Sequence, residues 1–461
     1  MNGRVGGKLA GCLVGMSMLS VIGAAEAQSP TTQGHVNDND PANWEIVSVD
    51  DDLRFIPTTR PQQPVAQHPP IATTQNSDTG KPPQLWQRFT DDWNGLRPRL
   101  DDKGIAVAAS LAGYVGTNLI GGAQTDAGGC AYLLNLNLTL DSKKLVGLEG
   151  GSMFVNLRNQ DGLSHSMDGS FGATSSLYIP GRTEVSECWF EQKFLNDQVR
   201  IKAGKIDVNT EFDTVENGGE FLNDFGALNS TILAFPTDPD SSIGVNAFVY
   251  PNEHFYAGAG IYDGSLQDGV NTGSVGPHSL WNSRSAFWIG EIGDKWDGKA
   301  SGREGRVALG VWHHTGSFEQ FDGGHRNSVT GPYIALDQCL WRKYPEKDGD
   351  KQGIAMFFSA GYASPHISSA TVQAGGGLKW TGAIAGREDD VLGLGASCIR
   401  LSHDTSAGLS DHSEFTIETF YKIRINPWFS IEPDLQYIHN PDGVSSRDDA
   451  LMATIQMLID F

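Results

Sequence analysis

Residues 413–438 read SEFTIETFYKIRINPWFSIEPDLQYI, and they decide the fold. Phe415, Ile417, Tyr421, Ile423 and Ile425 fall on one parity, and Glu414, Thr416, Glu418, Lys422 and Arg424 on the other. After Asn426-Pro427 the alternation resumes, with Phe429, Ile431, Leu435 and Tyr437 against Ser430, Glu432, Asp434 and Gln436. A period of two is that of a β-strand, which turns successive side chains to opposite faces. Two such runs joined by a short turn form an antiparallel hairpin, in which opposed residues share a face. A two-residue turn at 426–427 would set Arg424 against Phe429, polar against apolar. A three-residue turn at 426–428 sets Lys422 against Glu432 and Glu418 against Gln436, so the second register is expected.

The same alternation runs outward in both directions. Leu451, Ile455, Met457, Ile459 and Phe461 share a face against Thr454, Gln456 and Asp460, with Met452 and Leu458 as exceptions. Tyr132, Leu134, Leu136 and Leu138 alternate with Asn135, Asn137 and Thr139, and Val199, Ile201 and Ala203 with Arg200 and Lys202. Sixteen strands are expected, over 105–116, 130–140, 150–158, 184–194, 199–205, 242–250, 255–262, 284–293, 305–313, 331–341, 353–362, 374–382, 390–401, 413–425, 428–438 and 451–461. Connectors mostly alternate between short (195–198, 251–254, 426–427) and long (117–129, 159–183, 206–241, 263–283, 314–330). The turns at 294–304 and 342–352 are longer than that scheme wants. Short turns at one end and long loops at the other, on an even number of strands, describe a transmembrane β-barrel.

Composition is compatible with this. The chain has 461 residues, 33 Lys plus Arg against 55 Asp plus Glu, and a net charge of −22. That balance argues against a nucleic-acid partner, which requires basic surface against phosphates. No mature segment has about 18 consecutive apolar residues, which excludes a bundle of membrane helices. It leaves a barrel open, because a barrel hides its apolar surface on alternate residues. The N-terminus carries Arg4 and Lys8, an apolar run from Leu9 to Gly23, and Ala25-Glu26-Ala27, which together read as an export signal over 1–27. Residues 28–84 are rich in Pro, Gln and Thr and read as a disordered extension. Residues 85–104 form a short amphipathic segment around Trp86, Phe89, Trp93 and Leu96, and the barrel occupies 105–461. Of five cysteines, Cys130, Cys188, Cys339 and Cys398 remain after the signal. Their wide spacing fits no zinc or redox motif, and the favoured reading is unpaired small apolar residues.

A secreted β-sandwich also alternates. The barrel is favoured by strand length, by aromatic residues near strand ends (Trp428, Phe429, Tyr437, Phe461) and by dense charge of both signs on the polar face. Glu414 and Glu418 do not suggest a glycosidase: four residues along a strand span about 13 Å, too wide for its paired carboxylates. His313-His314 is no metal site by itself, since neighbours on a strand point apart. No catalytic motif and no cofactor are indicated.

Several segments resemble the carbohydrate-selective porin family, OprB. They are Asp92-Trp93-Asn94-Gly95-Leu96-Arg97-Pro98-Arg99-Leu100 with Lys103-Gly104-Ile105, Asp141-Ser142-Lys143-Lys144-Leu145-Val146-Gly147-Leu148, and Val199-Arg200-Ile201-Lys202-Ala203-Gly204-Lys205-Ile206-Asp207 with Phe212 and Phe221-Leu222-Asn223. Near the end, Gly386-Arg387-Glu388-Asp389-Asp390-Val391-Leu392-Gly393, Asn426-Pro427-Trp428 and Pro433-Asp434-Leu435-Gln436-Tyr437 follow. The likeness covers about residues 85–461. It implies a sixteen-stranded barrel in the outer membrane of a Gram-negative bacterium, passing sugars passively. Its expected partners are membrane lipid and lipopolysaccharide, monosaccharide or small oligosaccharide solutes, and the barrel assembly machinery through Phe461. The barrel would be a monomer or homotrimer. A porin for ions or small organic acids is the alternative, with a carbohydrate-binding sandwich behind it.

By analogy with other sixteen-stranded porins, the long segment 206–241 folds inward and narrows the channel. It carries Asp207, Glu211, Asp213, Glu216, Glu220 and Asp224, with Lys205 as its only base. The expected pore-lining set is Glu187, Glu191, Lys193, Arg200, Lys202, Asp207, Glu211, Asp213, Glu414, Glu418, Lys422, Arg424, Glu432 and Asp434. The competing reading of any one of these is a solvated inner wall, polar by default.

Overall fold

A computed structural model of the chain describes residues 88–461 apart from 126, 163–180, 271–284, 299–302 and 348. The expected export signal and the 28–84 extension lie outside the described residues. The strands are β1 (Ile105–Ile120), β2 (Gly128–Asp141), β3 (Gly151–Gly162), β4 (Arg182–Phe194), β5 (Val199–Ile206), β6 (Ser242–Val249), β7 (Phe255–Asp263) and β8 (Ala286–Trp296). They continue with β9 (Gly305–Glu319), β10 (His325–Arg342), β11 (Gly353–Tyr362), β12 (Ala370–Thr381), β13 (Val391–Leu401), β14 (Ser413–Asn426), β15 (Phe429–His439) and β16 (Ala450–Asp460). Each pairs antiparallel with its sequence neighbours, and β1 pairs with β16, so the sheet closes. Closure leaves no unpaired edge and rules out the sandwich. Among the described residues no helix is long and apolar enough to cross a membrane.

The faces follow parity. Phe415 and Ile417 are 37% and 38% exposed, whereas Glu414 and Glu418 on either side of them are 1% and 0% exposed. Glu418 opposes Gln436 and Ile423 opposes Ile431, which is the expected register. Asn426 opposes Phe429, and the resulting shift at Ile425 lets a tight turn coexist with that register. His314 is buried while its neighbour His313 is half-buried and points to the other face.

Two expectations need correction. The loop expected at 314–330 is mostly strand: β9 and β10 extend to Glu319 and from His325, leaving only 320–324 as connection. The Gly, Ser and Asn residues there pair as an ordinary ladder, with a register shift between Asn327 and Val329. Second, the inner face is not uniformly polar. Phe248, Tyr262, Phe287, Ile289 and Trp312 are buried in one apolar cluster with Ile206, Phe212, Ile232 and Phe235. Inward-facing apolar residues of β6–β9 are covered by the segment between β5 and β6. Cys188, Cys339 and Cys398 are free thiols.

Residues 88–104 pack on the short-turn end. Helix α1 (Leu96–Asp102) holds Pro98 in its first turn, where a missing N–H costs nothing. Phe89 packs edge-on to Trp428 and Phe461 at 5.1 and 5.5 Å, and its N–H donates to the Asp460 carbonyl at 2.9 Å. Arg97 stacks 4.2 Å over Trp93 and donates to the Phe461 carbonyl at 3.2 Å. The C-terminal strand is thus held from outside the sheet as well as by β1 and β15.

Leu394 is 56% exposed on the apolar face of β13. The substitution Leu394→Arg should destabilise the barrel by about 2–4 kcal/mol, the cost of a cation on the lipid face near the bilayer centre. Denaturant unfolding in liposomes measures it, and a cost below about 0.5 kcal/mol would mean that this face does not meet lipid.

Candidate functional site

Residues 207–241 connect β5 to β6 and run inside the barrel. Hydrogen bonds and ion pairs to inward-facing side chains of several strands hold them there. The route begins where Asp207 caps a short turn, its carboxylate accepting from Asn209 N–H at 3.0 Å and from the Thr237 hydroxyl at 2.9 Å. Its own N–H donates to Glu187 at 3.1 Å. Glu211 then meets Arg200 and Lys202 of β5 in two close ion pairs. Glu191 shares both bases, at 3.1 Å from Arg200 and 3.7 Å from Lys202. Lys202 also lies 3.8 Å over the Trp189 ring, and Arg200 4.6 Å over Phe248.

The segment next crosses β8 to β10. Asp213 N–H donates to Glu291 at 3.0 Å. Glu291 also accepts from Tyr256 and Arg306, both at 2.6 Å, and from Tyr333 at 2.9 Å. Arg306 donates to the Thr214 carbonyl and hydroxyl, each at 2.7 Å. A fully buried carboxylate is tolerable only when paired and hydrogen-bonded in this way. Asp337 receives the N–H groups of Glu216 at 2.9 Å and Asn217 at 2.8 Å, and Lys379 of β12 pairs with Glu220 at 3.0 Å.

At the far side Glu418 of β14 accepts from Leu222 N–H at 2.6 Å and Asn223 N–H at 3.1 Å, and the Asn223 amide donates to Gln436 of β15 at 3.0 Å. Phe221 and Phe225 pack here with Phe357 and Phe420, at ring distances of 5.0–6.2 Å. Glycines clear the wall for them: a Cβ at Gly377 or Gly395 would lie 2.6 Å from the Phe221 ring. The return limb is fixed by Gln373, which accepts from Ser230 N–H at 2.7 Å, and by Arg182, which donates to Asp240 at 2.8 Å. Arg158 of β3 pairs closely with Asp238.

The expected residues therefore separate. Glu187, Glu191, Arg200, Lys202, Asp207, Glu211 and Asp213 gather around the start of the segment, and Glu418 holds its tip. Glu432 and Asp434 are buried on the same wall as Glu418; Lys422 stands 4.0 Å from Glu432, and Asp434 accepts from Gln436 at 2.9 Å. Glu414 accepts from Asp442 N–H at 2.7 Å, in the loop after β15, and belongs to the long-loop end. Two residues leave the set. Lys193 is exposed beside the 195–198 turn, and Arg424 folds onto the Asn426 and Pro427 carbonyls at the opposite turn. Both lie at strand ends, where inward parity no longer means the bore. Sequence reading missed Glu291, Arg306, Tyr256 and Tyr333. Parity would have found Glu291, but Phe287 and Ile289 share its face and blur the alternation.

Within the segment, charge balance is uneven. Burial raises the Glu211 carboxyl, but Lys202 and Arg200 outweigh it and hold the group below its ordinary range. Glu220 is held low in the same way, burial being outweighed by Lys379 and Lys422. Asp207 is pushed well above its ordinary range by burial and by the nearby charges of Asp238 and Glu187. Asp213 is raised by burial and by Glu291.

A family model described as carbohydrate-selective porin, OprB family, matches residues 128–461. The chain is similar to the putative porin QuiX of Acinetobacter baylyi, 23% identical over 423 residues, which cover 81% of this chain and 93% of that one. It is similar to Porin B of Pseudomonas aeruginosa, 21% identical over 413 residues, covering 79% and 89%. Among solved structures, the high-pH structure of Pseudomonas putida OprB aligns with a TM-score of 0.73 at 19% identity, covering 82% of this chain and 99% of that one. At that identity the likeness speaks for the fold.

A carboxyl whose folded pKa is raised binds its proton more tightly when folded. Its contribution is favourable at acid pH and is lost as pH rises through the folded value. Asp207→Asn, which keeps an acceptor and removes the charge, should therefore stabilise the barrel increasingly as pH rises and have little effect at acid pH. Heat-modifiable gel mobility across a pH series reads this; a gain that is largest at acid pH would contradict the assignment.

Proposed function

The chain belongs to the carbohydrate-selective porin family, OprB, and forms an outer-membrane channel for sugars; from that premise we propose that it selects neutral solutes by pairing off the charges of its own constriction. Passive transport calls for no chemical step. Selectivity is set by width, by lining donors and acceptors, and by the field at the narrowest point. Residues 207–241 supply the constriction.

The observation that carries the reading is where the charges go. Glu211 is matched by Arg200 and Lys202, Glu220 by Lys379, Asp238 by Arg158, and Asp240 by Arg182. Opposed charges at ion-pair distance cancel most of the field that would draw ions. Between its paired charges the wall of β2–β4 also offers neutral groups. Asn156 donates to Asn135 at 3.3 Å and Asn137 at 2.5 Å, and accepts from Ser186 at 2.5 Å. Amides and hydroxyls present donors and acceptors together, which suits a solute covered with hydroxyl groups. Aromatic faces stand nearby in the stacked pair Phe154 and Trp189. Glu187, Glu191 and the carboxylates of β14 and β15 complete the proposed lining.

Outer-membrane lipid surrounds the barrel, and Phe461, clasped by Phe89 and Arg97, is the proposed mark for the assembly machinery. Residues 1–27 and 28–84 are proposed as export signal and extension.

Single-channel conductance in planar bilayers tests the reading. Added glucose should reduce ion conductance in a saturable way. The double substitution Asn135→Asp and Asn156→Asp should weaken that block about tenfold while raising the preference for cations over anions, because two carboxylates enter the amide wall and Arg158, beside Asn135 and already paired with Asp238, offsets one at most. Conductance indifferent to glucose at every concentration would favour a channel for ions or small organic acids.

A further inference from the structure

The inner wall of β2–β4 has an ordered grain near the short-turn end. Register sets Thr139 beside Phe154 and Phe154 beside Trp189, so these three form one row across the strands. The next row toward the long loops holds Asn137, Asn156 and Glu187, and the next toward the short turns holds Asp141, Ser152 and Glu191. An aromatic row thus lies between two hydrogen-bonding rows, each about 7 Å away along the strands. Phe154, Trp189, Asn137, Thr139 and Ser152 are half-buried, so this stretch of wall keeps accessible surface, whereas Asn135 and Arg158 further along are buried.

We propose that this row is a subsite for the face of a pyranose ring, with Phe154 as its platform. The inference rests on the channel passing sugars, and it names the part of the wall that reads the ring itself. A pyranose is amphipathic: hydroxyls project around its edge, and C–H groups make its faces apolar. Such a face packs on an aromatic ring, while the edge needs donors and acceptors about as far out as the flanking rows lie. The platform is held firmly. Phe154 stacks on Trp189 at 5.1 Å with 26° between the rings. The indole N–H donates to Glu187 at 3.1 Å, and Lys202 lies 3.8 Å over the indole. Opposite Trp189 on β5 stands Gly204, so no side chain continues the row on that strand. Rings already fixed lose little freedom when a solute arrives. Among the described residues the hydroxyls of Thr139 and Ser152 carry no hydrogen bond to protein, which leaves them to the edge of the solute.

The test separates recognition of a ring from recognition of hydroxyls. Half-block concentrations of glucose and of sorbitol are measured by single-channel conductance on the same channels. Sorbitol carries hydroxyls on an open chain and has no ring face. The parent chain should be blocked by glucose at about fivefold lower concentration than by sorbitol. Phe154→Leu should raise the glucose value about fivefold, leave the sorbitol value near the parental one and so abolish the preference. Phe154→Tyr, which keeps the aromatic face, should retain the preference, and Leu309→Ala, on the lipid face, should match the parent chain. Should Phe154→Leu not fold, as read by heat-modifiable mobility, Phe154→Met makes the same comparison. A parental preference that persists in the folded truncation overturns the platform, and so does a parent chain blocked equally by both solutes; in either case sugar passage stands. A parent chain that neither solute blocks overturns the sugar reading and the subsite with it.

Discussion

The structure depends on a closed hydrogen-bonded ring whose two surfaces are written on alternate residues. Lipid cannot satisfy a free N–H or C=O, so a sheet that spans a membrane must close. Closure of β1 onto β16 does that here. Once the ring is closed, each side chain has only two destinations. An apolar side chain on the outward parity is at rest against lipid, and a polar one on the inward parity can be hydrated. All else in the molecule is an answer to what fills the inside.

The answer is a long connection that folds back rather than out. A backbone buried in a bore needs partners for its own polar groups, and the inner wall provides them as side chains: Asp337, Gln373 and Glu418 each take N–H groups of the segment. Its apolar residues need cover, and the wall provides that too, through Phe287, Trp312 and Tyr262 on one side and Phe357 and Phe420 on the other. Glycines at Gly375, Gly377 and Gly395 leave room for the phenylalanines. Wall and segment are therefore one folding unit, in which neither makes sense as a soluble surface.

That interdependence explains which parts were legible in sequence. The strands of 413–461 carry polar residues inward along much of their length, so Glu414, Thr416 and Glu418 alternate cleanly with Phe415 and Ile417, and the register of the hairpin could be read from parity. Around β6–β9 the inner face carries Phe248, Phe287, Ile289 and Trp312, and apolar residues occupy both parities. The pattern loses contrast for a physical reason: those positions see the inward segment, not water. Glu291 was hidden in that noise. Lys193 and Arg424 misled in the opposite sense, because polar residues at a strand end satisfy parity without entering the bore. The segment's acidity was visible, and so was its match to Arg200 and Lys202. Its tip was not, since the partners of Leu222 come from strands about a hundred residues before it and two hundred after it, and only the closed ring brings them together.

The division of labour between charge and shape follows from the same geometry. Charges near the start of the segment stand close to strands β4 and β5, from which they can be neutralised over short distances, and pairing there removes the field without filling the passage. The tip is farthest along the chain from that anchor; β14 and β15 hold its backbone and amide, and β1 and β2 cover Leu222. A single carboxylate taking two backbone N–H groups fixes position with little bulk, while the Leu222 side chain is buried against β1 and β2. Leu222 and Asn223 are thus fixed through backbone N–H groups and apolar cover, whereas the start of the segment is fixed by ion pairs.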